Sequence, residues 1–296
     1  MRVTTILPDV LDSLQSSEQA LQSAVLQIST GRRVNQISDD PAASASMIQS
    51  LASSANVDQF TRNVTSVEAE AQTADSALSS VVSELTQAVT FGTQGSNGAL
   101  TPANRQAISA QVQGVLSEVV SQANLTYNNA YVFSGTATTT VPFTAGGTSA
   151  SGYQYNGNSG VNTVQIGDAL STPSNVPGDQ IFSKAGADVL GSLSQLVTAL
   201  QGGTPAQIAT ATQSVSTAID HVSQQRVLYG SIKGQLGSQE SYLSQETLTL
   251  STQQSALVGV DLSVAATNLS QAELSHNAVL AATAKVLPNT LLDYLK

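Results

Sequence analysis

Residues 236–264 read LGSQESYLSQETLTLSTQQSALVGVDLSV, and an apolar side chain occupies every seventh position of this stretch. These positions are Leu236, Leu243, Leu250, Leu257 and Val264. A seven-residue repeat corresponds to 3.5 residues per turn, which keeps one apolar stripe facing a partner helix along its length. The stretch therefore predicts a long helix that is paired with another.

The start of the chain has the same spacing, so both chain ends are expected to pair. The N-terminal repeat consists of Leu7, Leu14, Leu21 and Ile28. After the C-terminal repeat, Gly259-Val260-Asp261 interrupts the helical pattern, and Asp261 is a residue type that caps a new helix. We expect the last helix to run from Leu262 to about Leu287 and to end at Pro288. Its apolar positions include Leu262, Ala265, Leu269, Ala272, Val279, Leu280 and Val286.

The composition excludes several function classes. Only 10% of the 296 residues are charged, against about 25% in ordinary soluble proteins. The net charge of -10 and the scattered Lys and Arg argue against a nucleic-acid partner. The absence of cysteine excludes disulfides and thiolate metal sites. No run of eighteen apolar residues occurs, so we expect no membrane insertion, and the N-terminus lacks the apolar core of a cleaved secretory signal.

Helical spacing continues through most of the chain. One long helix is expected from Pro41 to about Gly92, and a second, folded back on it, begins at Thr101-Pro102. Helical spacing resumes near Val189, stops at Gly202-Gly203 and restarts behind Thr204-Pro205. Gly230, Gly234 and Gly237 share one helix face, which indicates either a close-packed neighbouring backbone or a broken helix.

The segment between these helices has a different texture. Residues 135–185 are rich in Gly, Asn, Tyr and Thr, with alternation typical of strands near residues 153–157 and 161–166. The fold class we expect is mainly α, a long antiparallel helical bundle or coiled coil formed by both chain ends, with this small β-rich insertion at the far end. The predicted domains are 1–40 with 258–296 as an inner coiled coil, 41–134 with 186–257 as a helical rod, and 135–185 as an outer domain.

The connector after the first helix carries charged residues with local roles. Arg32 and Arg33 follow Gly31, so they are expected either to bind the carbonyl end of the first helix or to contact a neighbouring subunit. Asp39, Asp40 and Pro41 are expected to cap the next helix and fix the connector, since an acidic residue suits a helix N-terminus and Pro suits its first turn. The alternative is a hinge between the inner and outer domains.

The sequence offers little for chemistry. His276 falls on the C-terminal stripe and is expected to be packed there, while His221 has no second histidine near it. No zinc-binding His pair, nucleophile elbow or phosphate loop occurs, so no catalytic residue, cofactor or metal is predicted. The competing hypothesis is a hydrolase or carbohydrate-binding module in the insertion, for which Asp168, Asp179 and Asp188 are the available carboxylates.

Several motifs in order resemble the N-terminal signature of the flagellin family. Residues 26–35 read LQISTGRRVN, 38–42 read SDDPA, 59–63 read QFTRN and 74–78 read ADSAL. The resemblance implies a structural, non-enzymatic subunit of the bacterial flagellum that is exported unfolded, without signal cleavage, and assembles outside the cell. It also implies an export chaperone as partner.

Within the family, the sequence favours a subunit at the junction between hook and filament. Residues 130–135, AYVFSG, and 291–295, LLDYL, resemble the junction subunits more than filament flagellins. The implied partners are copies of the same chain, a neighbouring hook-associated protein and flagellin. The alternatives are filament flagellin and a non-flagellar type III tip or translocator protein, and the latter would not explain the ordered motifs.

The residues expected to carry assembly are the two apolar stripes and the arginines between them. They are Leu7, Leu14, Leu21, Ile28, Arg32, Arg33, Leu257, Leu262, Leu269, Val279 and Leu280. The alternative for each apolar residue is an ordinary intramolecular core. Because Ser, Thr and Asn are weak helix formers and few i,i+4 ion pairs are available, we expect the ends to be loosely ordered until they assemble.

Overall fold

The computed structural model describes residues 6–146 and 151–294, with side chains described over 9–146 and 151–285. Within these ranges the helices are α1 (Ile6–Thr30), α2 (Pro41–Gly95), α3 (Pro102–Ala123), α4 (Gly178–Phe182), α5 (Val189–Gly202), α6 (Pro205–Val258) and α7 (Leu262–Tyr294). The strands are β1 (Thr126–Tyr127), β2 (Ala130–Tyr131), β3 (Phe143–Ala145), β4 (Tyr153–Tyr155), β5 (Thr163–Gly167) and β6 (Leu170–Pro173). The mainly α fold class with a small β-rich insertion is confirmed.

The chain forms two compact units. One comprises the residues up to 56 and from 245 onward, and the other comprises residues 57–244. Each unit has its own buried side chains, and each is described by itself below.

In the first unit, helix α1 packs against α7, so the two chain ends pair as the heptads predicted. Ser17, Ala24 and Ala265 are buried there. The expected stop at Pro288 is wrong, because α7 continues to Tyr294. Proline lacks one N–H donor and tends to kink a helix, but the flanking turns keep their own hydrogen bonds, so the helix need not end.

The second unit has one hydrophobic core, to which α2, α3, α5 and α6 all contribute. Its largest fully buried side chains include Tyr229, Phe133 and Phe182. The predicted caps are present: Thr101 accepts the N–H of Asn104 at the start of α3. Helix α6 runs unbroken across the glycine face, which excludes the broken helix. A Cβ on Gly230, Gly234 or Gly237 would meet no atom within 4 Å, so no described backbone segment packs closely there.

The strands form three antiparallel pairs, β1 with β2, β3 with β4 and β5 with β6. The expected position of the insertion at the far end is wrong. The chain turns between helices at residues 96–101 and 203–204. The β5–β6 hairpin lies instead alongside the helices. The side-chain amide of Asn63 on α2 donates to the Gln165 carbonyl (2.7 Å), and that of Gln239 on α6 donates to the Ile166 carbonyl (2.9 Å). Helix α3, which packs against α5, separates the turn at residues 96–101 from the first strand.

The first strand pair begins before residue 135 and was not predicted. Asn128 and Asn129, between β1 and β2, have φ values of +47° and +64°. A two-residue turn with both φ values positive is the type I′ hairpin turn, in which Asn is favoured. The Asn-Asn pair between two Tyr-containing dipeptides was the available signal.

Candidate assembly site

The apolar stripes predicted for assembly are divided between packed and exposed positions. Leu14, Leu21, Ile28, Leu257, Leu269 and Val279 are half-buried. Leu262 and Leu280 on α7 remain 62% and 44% exposed. The side chain of Leu7 lies outside the described residues. The intramolecular α1–α7 pair therefore uses part of each stripe and leaves the rest accessible.

Exposed apolar side chains beside the stripes extend this surface. Leu11 and Val25 on α1 are 60% and 49% exposed, and Leu274 on α7 is 72% exposed. Leu11 and Val25 lie two heptads apart, each three residues before a stripe position, so they border the stripe on the helix surface. Counting only one position per heptad missed them, although the same repeat contained the signal.

A polar contact links the middle of the two helices. The Oγ of buried Ser17 lies 3.1 Å from Nδ1 of His276 and 2.9 Å from the Leu14 carbonyl oxygen. The Ser17 hydroxyl can donate its one proton to only one of these two atoms. When it donates to the Leu14 carbonyl, the imidazole N–H of His276 donates to Ser17 Oγ. His276 is packed on the stripe, as expected, and its hydrogen bond to Ser17 links α7 to α1.

Where α1 ends, the chain is hydrogen-bonded to the break between α6 and α7. Gly31 has φ +66°, a left-handed conformation that favours glycine after a helix. The N–H of Val260 donates to the Gly31 carbonyl (3.1 Å), and the N–H of Arg33 donates to the Val258 carbonyl (2.7 Å). These bonds satisfy carbonyl groups that both helix ends would otherwise leave unpaired.

The Arg33 side chain binds a helix C-terminus, but not that of the first helix. One Nη donates to the Leu257 carbonyl at the end of α6 (3.1 Å), and the other pairs with Asp40 Oδ2 (3.0 Å). The expectation that Arg33 binds the end of α1 is therefore wrong, because the tight turn at Gly31 directs it across to α6. Arg32 is exposed, and its backbone bridges to Gly259.

Of the two acidic connector residues, Asp40 caps α2 as predicted, whereas Asp39 bonds the connector itself, so the expectation that Asp39 caps α2 is wrong. Asp40 Oδ1 accepts the N–H of Ala43 (3.0 Å) at the start of α2, and Asp39 Oδ2 accepts the N–H groups of Asn35 and Gln36 (2.9 Å each). These backbone hydrogen bonds, with Arg33 in the case of Asp40, lower the pKa of both carboxyls. Asp261 accepts from Ser263 N (2.8 Å), which confirms the predicted break before α7.

A small apolar cluster lies beneath these polar contacts. Val34, Ala43 and Val258 are buried together, with Met47 and Leu257 packed against them. We call this cluster and the hydrogen bonds above it the helix junction. It joins the ends of α1 and α6 to the start of α2 and α7.

In the second unit, α6 holds the insertion through buried polar residues that the sequence did not reveal. His221, 8% exposed, has Nε2 2.8 Å from the Gln180 carbonyl oxygen. The fully buried Tyr229 accepts the N–H of Val176 at its hydroxyl oxygen (3.2 Å), and burial raises the pKa of its phenol. No spacing rule indicates such partners, because they are distant in sequence.

Among the described residues, no group of three or more His, Asp or Glu side chains could hold a metal. The carboxylates considered for a hydrolase have local roles. Asp188 caps α5 by accepting Gly191 N–H (2.8 Å), and burial raises its pKa. Asp179 accepts the Ser159 hydroxyl proton (2.5 Å), and Asp168 is exposed. None of the described helices has the length and apolarity needed to cross a lipid bilayer.

Two relatives that this chain resembles are named flagellar hook-associated protein 3. The flagellar hook-associated protein 3 of Escherichia coli strain K12 is 35% identical over 119 residues, which are 40% of this chain and 37% of that protein. The protein of the same name from Salmonella typhimurium is 29% identical over 187 residues, which are 62% of this chain and 57% of that protein. The chain therefore spans less than two thirds of either relative's length.

A solved structure supports the fold. A flagellar hook-associated protein from Vibrio parahaemolyticus aligns with a TM-score of 0.68 at 21% identity, covering 75% of this chain and all of that one. Two family models also match: residues 9–138 match the bacterial flagellin N-terminal helical region, and residues 212–295 match the bacterial flagellin C-terminal helical region. Because these two matches take in most of the chain and both of its paired ends, the chain belongs to the bacterial flagellin family.

Proposed function

We propose that this chain is a structural subunit of the bacterial flagellum, located at the junction between hook and filament and assembled through its terminal helices. Support comes from the relatives named flagellar hook-associated protein 3 and from the AYVFSG segment at residues 130–135. The observation that carries the proposal is the α1–α7 pair, which leaves large apolar side chains accessible after the chain's own helices have packed.

The exposed apolar side chains of the terminal helices favour assembly. Leu262 and Leu280 together with Leu11 and Leu274 are each more than two fifths exposed. Burying such side chains in a contact with another subunit is favourable by roughly 25 cal/mol per Å² of apolar surface. When a patch on one copy meets a different patch on the next, the copies close into a ring or continue as a helical array. A junction subunit needs a contact of this kind.

The proposal extends to partners and place. Copies of this chain, a neighbouring hook-associated protein and flagellin are the proposed contacts, with an export chaperone before assembly. The proposed location is extracellular, in the flagellum, after export without a cleaved signal peptide. The role is structural and non-catalytic, and it requires no cofactor.

Filament flagellin is the second candidate, favoured by the family models, which take their description from flagellin itself. The two roles differ in a simple phenotype. Cells that lack a junction subunit keep their hooks and shed flagellin into the medium, whereas cells that lack the filament subunit have no flagellin to shed. Retention of hooks together with flagellin in the medium supports the junction role, and its absence refutes it.

The assembly surface is tested by Leu280→Asp. Leu280 is 44% exposed in the described α7, so the charge is accommodated in the free chain but is costly in an apolar contact. We expect a folded, exported protein that no longer supports filament growth, measured by motility and electron microscopy.

The control is Gln271→Asp, which adds the same charge at another exposed position of α7. This variant should assemble normally, because no apolar contact is lost. Full motility of the Leu280→Asp strain would show that the exposed stripe of α7 takes no part in assembly.

A further inference from the structure

The second unit contains a small cavity of about 240 Å³ between α2, the β1–β2 hairpin and the segments that flank β5 and β6. Ser66 and Glu70 of α2 form one side of it. Tyr127, Asn128 and Tyr131 of the hairpin form another. The volume is below the roughly 300 Å³ at which pockets for drug-sized ligands begin, so it suits a single functional group.

Glu70 is the charged residue of this cavity, and it has no ionic partner in the described part of the chain. None of the described residues that line the cavity is a Lys, Arg or His. Glu70 is half-buried, and this burial raises the pKa of its carboxyl. One helical turn further along α2, Asp75 pairs with Arg226 (3.0 Å) and Lys233 (3.9 Å). Helix α6 thus supplies cations for one partly buried carboxylate of α2, and the described residues supply none for the other.

One amide side chain that lines the cavity is hydrogen-bonded to the backbone. Asn175 accepts the N–H of Asn162 (2.7 Å) and donates to the Gly160 carbonyl (3.3 Å). The cavity thus places a carboxylate that has no ionic partner among the described residues beside the rings of Tyr127 and Tyr131.

We propose that this cavity binds an organic cation, a guanidinium or ammonium group, with Glu70 as its counter-ion and Tyr127 and Tyr131 beside it. A carboxylate removed from water without a partner is costly, and an entering cation offsets that cost. Phenol faces attract such cations, most strongly when water is excluded. The source is either a free amine or guanidine compound, or a basic side chain of another copy, for which Arg105 and Lys184 make no ion pair among the described residues.

The test uses dilute full-length protein, so it does not depend on flagellar assembly. Methylguanidinium chloride is titrated into 15N- and 13C-labelled chain, with sodium chloride at equal ionic strength as the reference. We expect a saturable shift of the Asn128 amide signal, and a fall in the pKa of the Glu70 carboxyl, whose 13C signal is assigned by its loss in Glu70→Gln.

Glu70→Gln keeps the side-chain shape and removes the charge, so it should weaken methylguanidinium binding about tenfold or more. Glu118→Gln, at an exposed position of α3, should leave it unchanged. Equal binding by Glu70→Gln, an identical response to sodium chloride, or no saturable shift would each overturn the proposal.

A second experiment, carried out once methylguanidinium binding is established, distinguishes the two possible sources of the cation. The Glu70 signal is followed against protein concentration without the probe, in the wild-type chain and in the Arg105→Gln, Lys184→Gln double variant. A concentration-dependent shift that the double variant loses supports a basic side chain of another copy. A signal that is independent of concentration supports a free cation.

Discussion

Replacing Tyr229 by Phe isolates one hydrogen bond between α6 and the insertion. The ring is fully buried, and its hydroxyl oxygen accepts the backbone N–H of Val176 at 3.2 Å. Phe keeps the ring and its packing, so the main change is a buried N–H without a partner, which costs roughly 1–3 kcal/mol. For a domain of this size each kcal/mol lowers the melting temperature by about 2–4 °C. We expect a fall of about 2–12 °C.

The assay is thermal and urea unfolding, with hydrogen exchange of the Val176 amide as a local probe. Tyr242→Phe is the matched control, since Tyr242 is on the same helix, is 61% exposed and undergoes the same chemical change. It should melt within error of the wild type. Equal stability of the two variants, with unchanged protection of Val176, would refute the conclusion that this contact holds the insertion on α6.

Two further substitutions test the helix junction and the cavity carboxylate. Arg33→Ala should raise the rate of amide hydrogen exchange at the helix junction about twofold to tenfold, because the guanidinium hydrogen bond to the end of α6 is lost. Arg32→Ala should leave that rate unchanged. Equal effects of the two substitutions would contradict the contact assigned to Arg33. Burial raises the pKa of the Glu70 carboxyl above its ordinary value of 4.5. The folded state therefore holds the proton more tightly than the unfolded state. The resulting contribution to the free energy of unfolding is complete below about pH 4.5 and is lost as the pH rises through the raised pKa. In urea unfolding, the free energy of unfolding of Glu70→Gln should therefore exceed that of the wild type by an amount that grows as the pH rises over that range. Glu118→Gln should follow the wild type. A difference between Glu70→Gln and the wild type that does not change with pH would exclude the assigned burial effect.

The secondary structure was predictable where a local rule applies. The heptads placed Leu236, Leu243 and Leu250 on a buried stripe, and these side chains are at most 7% exposed. The buried stripe ends at Leu257, which is half-buried. Val264 is 55% exposed, because α7 is a new helix in which the seven-residue spacing of α6 no longer selects the packed face. The cap at Asp261 marked that break in the sequence.

The residues of the candidate site were predictable from the sequence, but the contacts between distant residues were not. The connector residues were identified as caps from their types, and Asp40 acts as one. That Arg33 would reach the end of α6 depends on two segments more than 200 residues apart, and no local pattern encodes their approach. The assembly role of the stripes stays a prediction, which the Leu280→Asp experiment tests.

The sequence alone determined that the chain is built of long helices with pairing stripes at both ends, because seven-residue spacing, caps and breakers act over a few turns. It also determined the family, through ordered motifs. Only the tertiary structure decided that α1 takes α7 as its partner, that the insertion lies beside the bundle, and that His221, Tyr229 and Glu70 are enclosed. Those outcomes depend on packing between distant segments, where burial and partner geometry, rather than spacing, set the free energy.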